Sequence, residues 1–274
     1  MKSTVSTLAA RLAVFPLLVL SLALQGAHAA PVADSATSHF ADHVSANVAL
    51  TSQYVSRGFR QTWGNPALQG GIDYVHPNGF FAGTWLSSVS DRYIENGTLE
   101  WDWYAGYAGT AGPIGYSGTV FYYNYPGAVI GASGTKYDYG ELALGLTYKF
   151  LYANYNHTYT RDFFGITEAR GTGYLDLGST IALGSGYALH FHYGMGRVAS
   201  NGAFDNGIWN WKDAKVGASK TFQGGWTLTG AYTEAFGATD VYDRFTTGVV
   251  NSSGGLDVSN PAAGTFLLSL AKTF

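Results

Sequence analysis

Cysteine is absent from all 274 residues, which excludes disulfides and thiolate metal sites. Charge is scarce: Asp, Glu, Lys and Arg make up 12% of the chain, about half of the ~25% usual in a soluble domain. A protein so poor in charge must hide much of its outside from water. No basic excess exists either, because the formal net charge is −3, and setting aside Lys2 and Arg11 near the N-terminus leaves the remainder more acidic still. Nucleic-acid binding, which needs a basic patch, is therefore not indicated. Long apolar runs are missing too: no stretch approaches the ~20 residues that a transmembrane helix needs. What the chain has in quantity is aromatic residues, 16% of the total with 20 tyrosines, and 37 glycines.

The longest apolar run, Leu12 to Leu24, follows Lys2 and Arg11 and is followed by Ala27-His28-Ala29. This order of basic, apolar and small residues reads as a signal peptide over residues 1–29, cleaved after Ala29. Residues 30–44 are small and polar without period and read as a leader. Residues 45–274 show no linker and are expected to form one domain. An exported chain of this size without disulfide staples points to a large closed sheet for stability. In lipid, closure is required, since an open strand edge leaves backbone groups unsatisfied.

The period along that domain is two. Leu99, Trp101, Trp103, Ala105 and Tyr107 alternate with Glu100, Asp102 and Tyr104. Leu142, Leu144, Leu146 and Tyr148 alternate with Glu141, Ala143, Gly145 and Thr147. An amphipathic helix does not sort residues this way. Ten further segments read likewise, among them one that presents Phe81, Gly83 and Trp85 outward and a first one, residues 46–55, that carries Tyr54 on its outer face. The connections alternate between short turns, such as His76-Pro77-Asn78-Gly79 and Gly184-Ser185-Gly186, and long polar loops, the longest over residues 236–263. Pro-Asn-Gly is a strong turn signal. Five short turns and six long loops give an all-β fold, a single antiparallel transmembrane barrel of about twelve strands, with 10 or 14 as the alternatives. Both termini and the short turns then face the periplasm of a Gram-negative cell, and the loops face outward. A secreted sugar-binding sandwich also has alternating strands and many aromatics, but it has no reason to alternate short and long connections or to end on an aromatic.

Residues 51–107 carry a recognisable pattern. Thr51-Ser52-Gln53-Tyr54-Val55-Ser56-Arg57-Gly58, Gln61-Thr62, Pro66-Ala67-Leu68-Gln69-Gly70-Gly71, Gly79-Phe80-Phe81-Ala82-Gly83-Thr84-Trp85 and Glu100-Trp101-Asp102-Trp103-Tyr104-Ala105-Gly106-Tyr107 resemble the TorF-family putative porins. The ending Ser269-Leu270-Ala271-Lys272-Thr273-Phe274 is similar to that family's, and to the C-terminal signal that the barrel assembly machinery reads through the terminal Phe274. Lys272 departs from the signal, where an apolar residue is commoner, and its long stem can reach the interface. The resemblance implies an outer-membrane channel with no catalytic residues and no cofactor.

Strand parity directs Asp73, Glu100, Asp102, Glu141, Asp176 and Asp213 into the lumen together with Lys215. Such charges select permeants by field and ring geometry. The expectation is a channel for passive diffusion of small polar solutes or ions, with an acidic upper lumen answered by Arg57, Arg60 and Lys215. The alternative is that these charges pair across the lumen and brace a filled, non-conducting barrel that acts structurally or adhesively through its loops. Arg57 and Arg60 could hold an anionic solute group, bridge lipopolysaccharide phosphates, or pair with Glu100 and Asp102. His190 and His192 share a face, as metal ligands would, but no third ligand accompanies them. Hydrogen-bonded lumen histidines, and no metal, are expected. Trp85, Trp101, Trp103, Tyr107 and Phe274 read as aromatics at the lipid interface. An outer-membrane enzyme is the least supported class, since no Gly-x-Ser-x-Gly elbow and no glycine-rich phosphate loop occur.

Overall fold

The computed structural model describes residues 43–238 and 240–274, so the signal peptide and nearly all of the leader lie outside the described residues. Twelve strands form the wall: β1 Val44–Thr51, β2 Ala67–Val75, β3 Phe80–Ser88, β4 Leu99–Ala111, β5 Ile114–Asn124, β6 Tyr139–Tyr148, β7 Leu151–Thr158, β8 Gly173–Gly184, β9 Tyr187–Arg197, β10 Trp211–Thr221, β11 Trp226–Phe236 and β12 Thr265–Thr273. Every strand pairs antiparallel with its neighbours in sequence, and β1 also pairs with β12, with Asn47 opposite Thr273 and Thr51 opposite Ser269. That last pairing closes the barrel, so neither first nor last strand leaves an edge of unpaired N–H and C=O groups. Among the described residues no helix is long and apolar enough to cross a membrane.

The two-residue period is what lets one sheet have two unlike faces. In β6, Leu142, Leu144 and Leu146 are exposed on the outside, Leu144 by 68%, while Glu141 between Gly140 and Leu142 is fully buried inside. Short turns do join β2 to β3, β4 to β5, β6 to β7, β8 to β9 and β10 to β11 at one end, and the long loops occupy the other. The expected turn at 76–79 closes with Gly79 N–H donating to the His76 carbonyl at 2.9 Å. Gly79 has φ +99°, and a Cβ there would lie 2.3 Å from the Ala108 carbonyl oxygen, so only glycine fits.

Two expectations need correction. Trp85 was expected on the lipid side with Phe81, but β3 has the opposite phase: Phe80 is outside, and Phe81, Gly83, Trp85 and Ser87 point inward. Pairing explains it. Trp85 stands opposite Asp102 and Ser87 opposite Glu100, and opposed residues share a face. Glycines on the flanking strands make the room, since a Cβ at Gly106 would lie 2.5 Å from the Phe81 ring and one at Gly71 would lie 3.2 Å from Trp85. β1 also ends earlier than expected, at Thr51, so Tyr54 has left the wall and is buried in the lumen, 2% exposed. Half of the twenty tyrosines are buried. Eight of them join Phe59, Phe81, Phe121, Phe163 and Trp211 in an aromatic core that runs from the loops down into the barrel.

Candidate functional site

Residues 52–66, the first long connection, fold back into the barrel mouth. Their centre is a hairpin of Val55–Ser56 against Phe59–Arg60 with Arg57 and Gly58 at the tip. Both tip residues have positive φ, +48° and +87°, the geometry of a two-residue I′ turn. Arginine there is uncommon. Its position is held from the wall, where the Trp211 indole N–H donates to the Arg57 carbonyl at 3.0 Å. Gly58 lies so close to the wall that a Cβ would stand 2.7 Å from Asp213 Cβ and 2.8 Å from Ala235 Cβ.

From that tip Arg57 reaches across to β6. Its two terminal nitrogens donate to Glu141 at 2.9 and 2.6 Å, the bidentate match of guanidinium to carboxylate. Asn156 of β7 donates to the same carboxylate at 2.9 Å, and the guanidinium lies over the Tyr174 ring, 4.4 Å from its centroid. The pair is largely dry, with side chains 16% and 1% exposed. The partner is thus Glu141, and neither Glu100 nor Asp102 as was entertained. Arg60 turns away from the lumen and donates to Ser259 Oγ and the Asn260 carbonyl of the last long loop.

A second network lies on β8, β9 and β10. His192 sits between Asp176 at 2.8 Å from Nδ1 and Asp213 at 2.5 Å from Nε2, and Tyr174 donates to Asp213 at 2.9 Å. Both ring nitrogens of His192 thus face carboxylate oxygens. Lys215 lines the same space. His190, two residues down the strand, has Ser219 Oγ at 2.9 Å and Thr180 Oγ1 at 3.3 Å. Each histidine has its ring nitrogens engaged, so the two do not present a shared pair of metal-binding nitrogens. Asp73 accepts from the Tyr104 hydroxyl at 2.5 Å, nearer the short-turn end.

Glu100 and Asp102 differ from the rest. They are 3% and 0% exposed, yet Glu100 Oε2 and both Asp102 oxygens have no hydrogen-bond partner among the described residues. Together with Arg57, Asp176, His192, Asp213 and Lys215 they border an internal cavity of about 70 Å³ below the hairpin. Such a space holds a few water molecules and no sugar.

Above the hairpin the loops form a lid. Phe59 packs on Tyr93, Trp211 and Tyr242 with ring centroids 6.3, 5.4 and 4.9 Å away. Burial pushes the Tyr93 and Tyr242 phenols up from their ordinary range. Asp257 of the last loop accepts from the Trp63 indole at 3.0 Å and pairs with Arg92 at 3.2 Å. Below the charged belt, the inward positions of β5 to β10 are small or neutral, including Ser117, Gly145, Thr147, Gly178, Thr180 and Ser219.

All the parity-derived lumen residues, Asp73, Glu100, Asp102, Glu141, Asp176, His190, His192, Asp213 and Lys215, stand on the inner face. Trp101, Trp103, Tyr107 and Phe274 stand on the outer one, with Trp103, Tyr107 and Phe274 exposed by 47, 39 and 72%. The residues that sequence reasoning missed are the neutral partners: Tyr54, Tyr123, Tyr139, Tyr174, Asn156 and Trp211. Three of them share strand parity with an identified carboxylate, so the alternation could have found Tyr139, Tyr174 and Trp211.

No curated relative matches this sequence. Among solved structures, the chain is similar in fold to one described as the KdgM porin, with 8% identity, a TM-score of 0.52 and coverage of 84% of this chain and 99% of that one. A NanC porin structure matches with 10% identity, a TM-score of 0.51 and coverage of 84% and 98%. At these identities the likeness is one of fold: a closed twelve-stranded antiparallel barrel of the kind found in outer-membrane porins. By sequence, residues 33–274 match the profile of Gcw_chp, described as a bacterial protein of unknown function, and the chain belongs to that family.

Proposed function

We propose that this chain is an outer-membrane channel for passive diffusion of small polar solutes or ions, narrowed by the hairpin at residues 52–66 and biased toward cations by its carboxylates. The observation that carries the reading is the contrast between the two faces of one sheet. Leucines and aromatics face outward, while Glu100, Asp102, Glu141, Asp176, Asp213 and Lys215 face inward at positions where a solid protein would place apolar side chains. Placing charge inside costs free energy unless it is paired or hydrated, and selection of permeants is the use channels make of it. The TorF-like motif supports the same reading, because Tyr54-Val55-Ser56-Arg57-Gly58 forms the constricting hairpin. The outer leaflet's lipid and lipopolysaccharide would contact the exposed aromatics, and Phe274 would address the barrel assembly machinery.

One observation favours a second reading, a non-conducting barrel that acts through its loops. The Arg57–Glu141 bridge and the aromatic lid leave only the small cavity below the hairpin. Planar-bilayer recording of the refolded barrel decides between them. Unitary conductance with reversal potentials displaced toward the cation equilibrium supports the channel. Absence of conductance from a barrel that migrates as folded on unheated gels rejects it.

A further inference from the structure

The charges of the lumen can be matched one against another. Glu141 is answered by Arg57. Asp176 and Asp213 are answered by His192, which contacts both, and by Lys215 beside them. Asp73 has the Tyr104 hydroxyl. Glu100 and Asp102 are left over, adjacent on the inner face of β4, with three carboxylate oxygens unpartnered among the described residues.

A buried carboxylate without a partner is costly, and two side by side repel. Asp102 is fully buried against Glu100, its oxygens have no hydrogen-bond donor among the described residues, and it borders the cavity below the hairpin. The hydroxyls of Tyr54, from the hairpin, and Tyr125, from the loop after β5, lie against Glu100. The pair and its two phenols contribute oxygen atoms only, and the cavity, which Arg57, His192 and Lys215 also line, has space for a few waters.

We propose that Glu100 and Asp102 hold one small hard cation inside the barrel. Oxygen-only donor sets suit sodium, potassium, magnesium or calcium, which keep water in their remaining positions. The cation supplies the charge that the pair lacks, and through Tyr54 it ties the hairpin to the wall. A larger organic cation does not fit a cavity of about 70 Å³. Of the basic groups that line the same cavity, Arg57 is directed to Glu141 and His192 to Asp176 and Asp213. The site deepens the channel reading by naming a class of occupant, but it requires only the folded barrel.

The test uses the full refolded barrel in detergent micelles, stripped with chelator and kept at neutral pH. Thermal unfolding is followed by the gel shift on heating and by circular dichroism, in sodium, potassium, magnesium or calcium chloride against choline chloride at equal ionic strength. At least one of the four cations should raise the midpoint in a concentration-dependent way, and elemental analysis should then find one equivalent retained. E100Q/D102N should lose both effects and, in choline, be at least as stable as the wild type, because it removes an uncompensated pair. D102N alone serves if the double variant does not fold. E234Q, on the outer face, should respond like the wild type. No cation-specific rise, or an equal rise in E100Q/D102N, overturns the proposal. The two readings fail separately: conductance without a cation effect removes the site alone, and a cation effect without conductance removes the channel alone.

Discussion

Arg57→Ala is the most informative single change in the barrel. It removes both hydrogen bonds to Glu141 and the contact with the Tyr174 ring, leaving Glu141 almost fully buried with Asn156 as its remaining donor. Removing one partner of a buried pair costs about 3–5 kcal/mol, because the other charge is left uncompensated. The lost cation–π contact adds about 0.5–2 kcal/mol. The side chain of Arg57 is 16% exposed, so water reaching Glu141 brings the total toward the lower end. Glu141→Gln in the Arg57→Ala background removes the orphaned charge and should recover most of the loss. Equilibrium unfolding in urea from lipid vesicles measures the four corners of this cycle. In bilayers the same substitution should raise conductance, since the guanidinium is what spans the lumen from hairpin to β6. Two results refute the reasoning: a coupling energy near zero between positions 57 and 141, or single-channel conductance that does not change when Arg57 is removed.

Two further outcomes follow from the hairpin and from strand parity. Gly58→Ala should destabilise the barrel by about 2–4 kcal/mol, adding the strain of a left-handed residue to a Cβ that meets Asp213 and Ala235; urea unfolding reads the loss, and an unchanged midpoint would show that the hairpin does not sit against β10 and β11. Trp103 faces lipid while Trp85 packs edge-on to Tyr54 at 5.4 Å inside the lumen, so Trp103→Phe should lower the fraction of emission quenched by brominated lipid acyl chains. Trp85→Phe should raise that fraction or leave it unchanged.

How far the chain could be read in advance depended on where charge lay. β4, β6, β8 and β10 each carry a carboxylate on one parity, and desolvation forbids a bare charge in lipid, so their faces were legible. β3, Phe-Phe-Ala-Gly-Thr-Trp-Leu-Ser-Ser, has aromatic or aliphatic residues on both parities and no charge. Its phase follows from pairing with β4, a relation between segments that local alternation does not contain. The same limit applies to Tyr54: its parity in a continued β1 pointed outward, and only the turn of the chain at Ser52 reversed its fate.

The amino-acid pattern alone was sufficient for the architecture. Period-two alternation, scarce charge and alternating connection lengths are properties of single segments and their order, and a membrane leaves a closed barrel as the one way to satisfy such segments. The contents of the lumen required three dimensions. That Arg57 meets Glu141, that His192 lies between two aspartates, and that neither Glu100 nor Asp102 has a basic partner in hydrogen-bond contact depend on which residues face each other across the barrel. Those distances are set by strand register and by a hairpin folded inward, and a one-dimensional period carries neither.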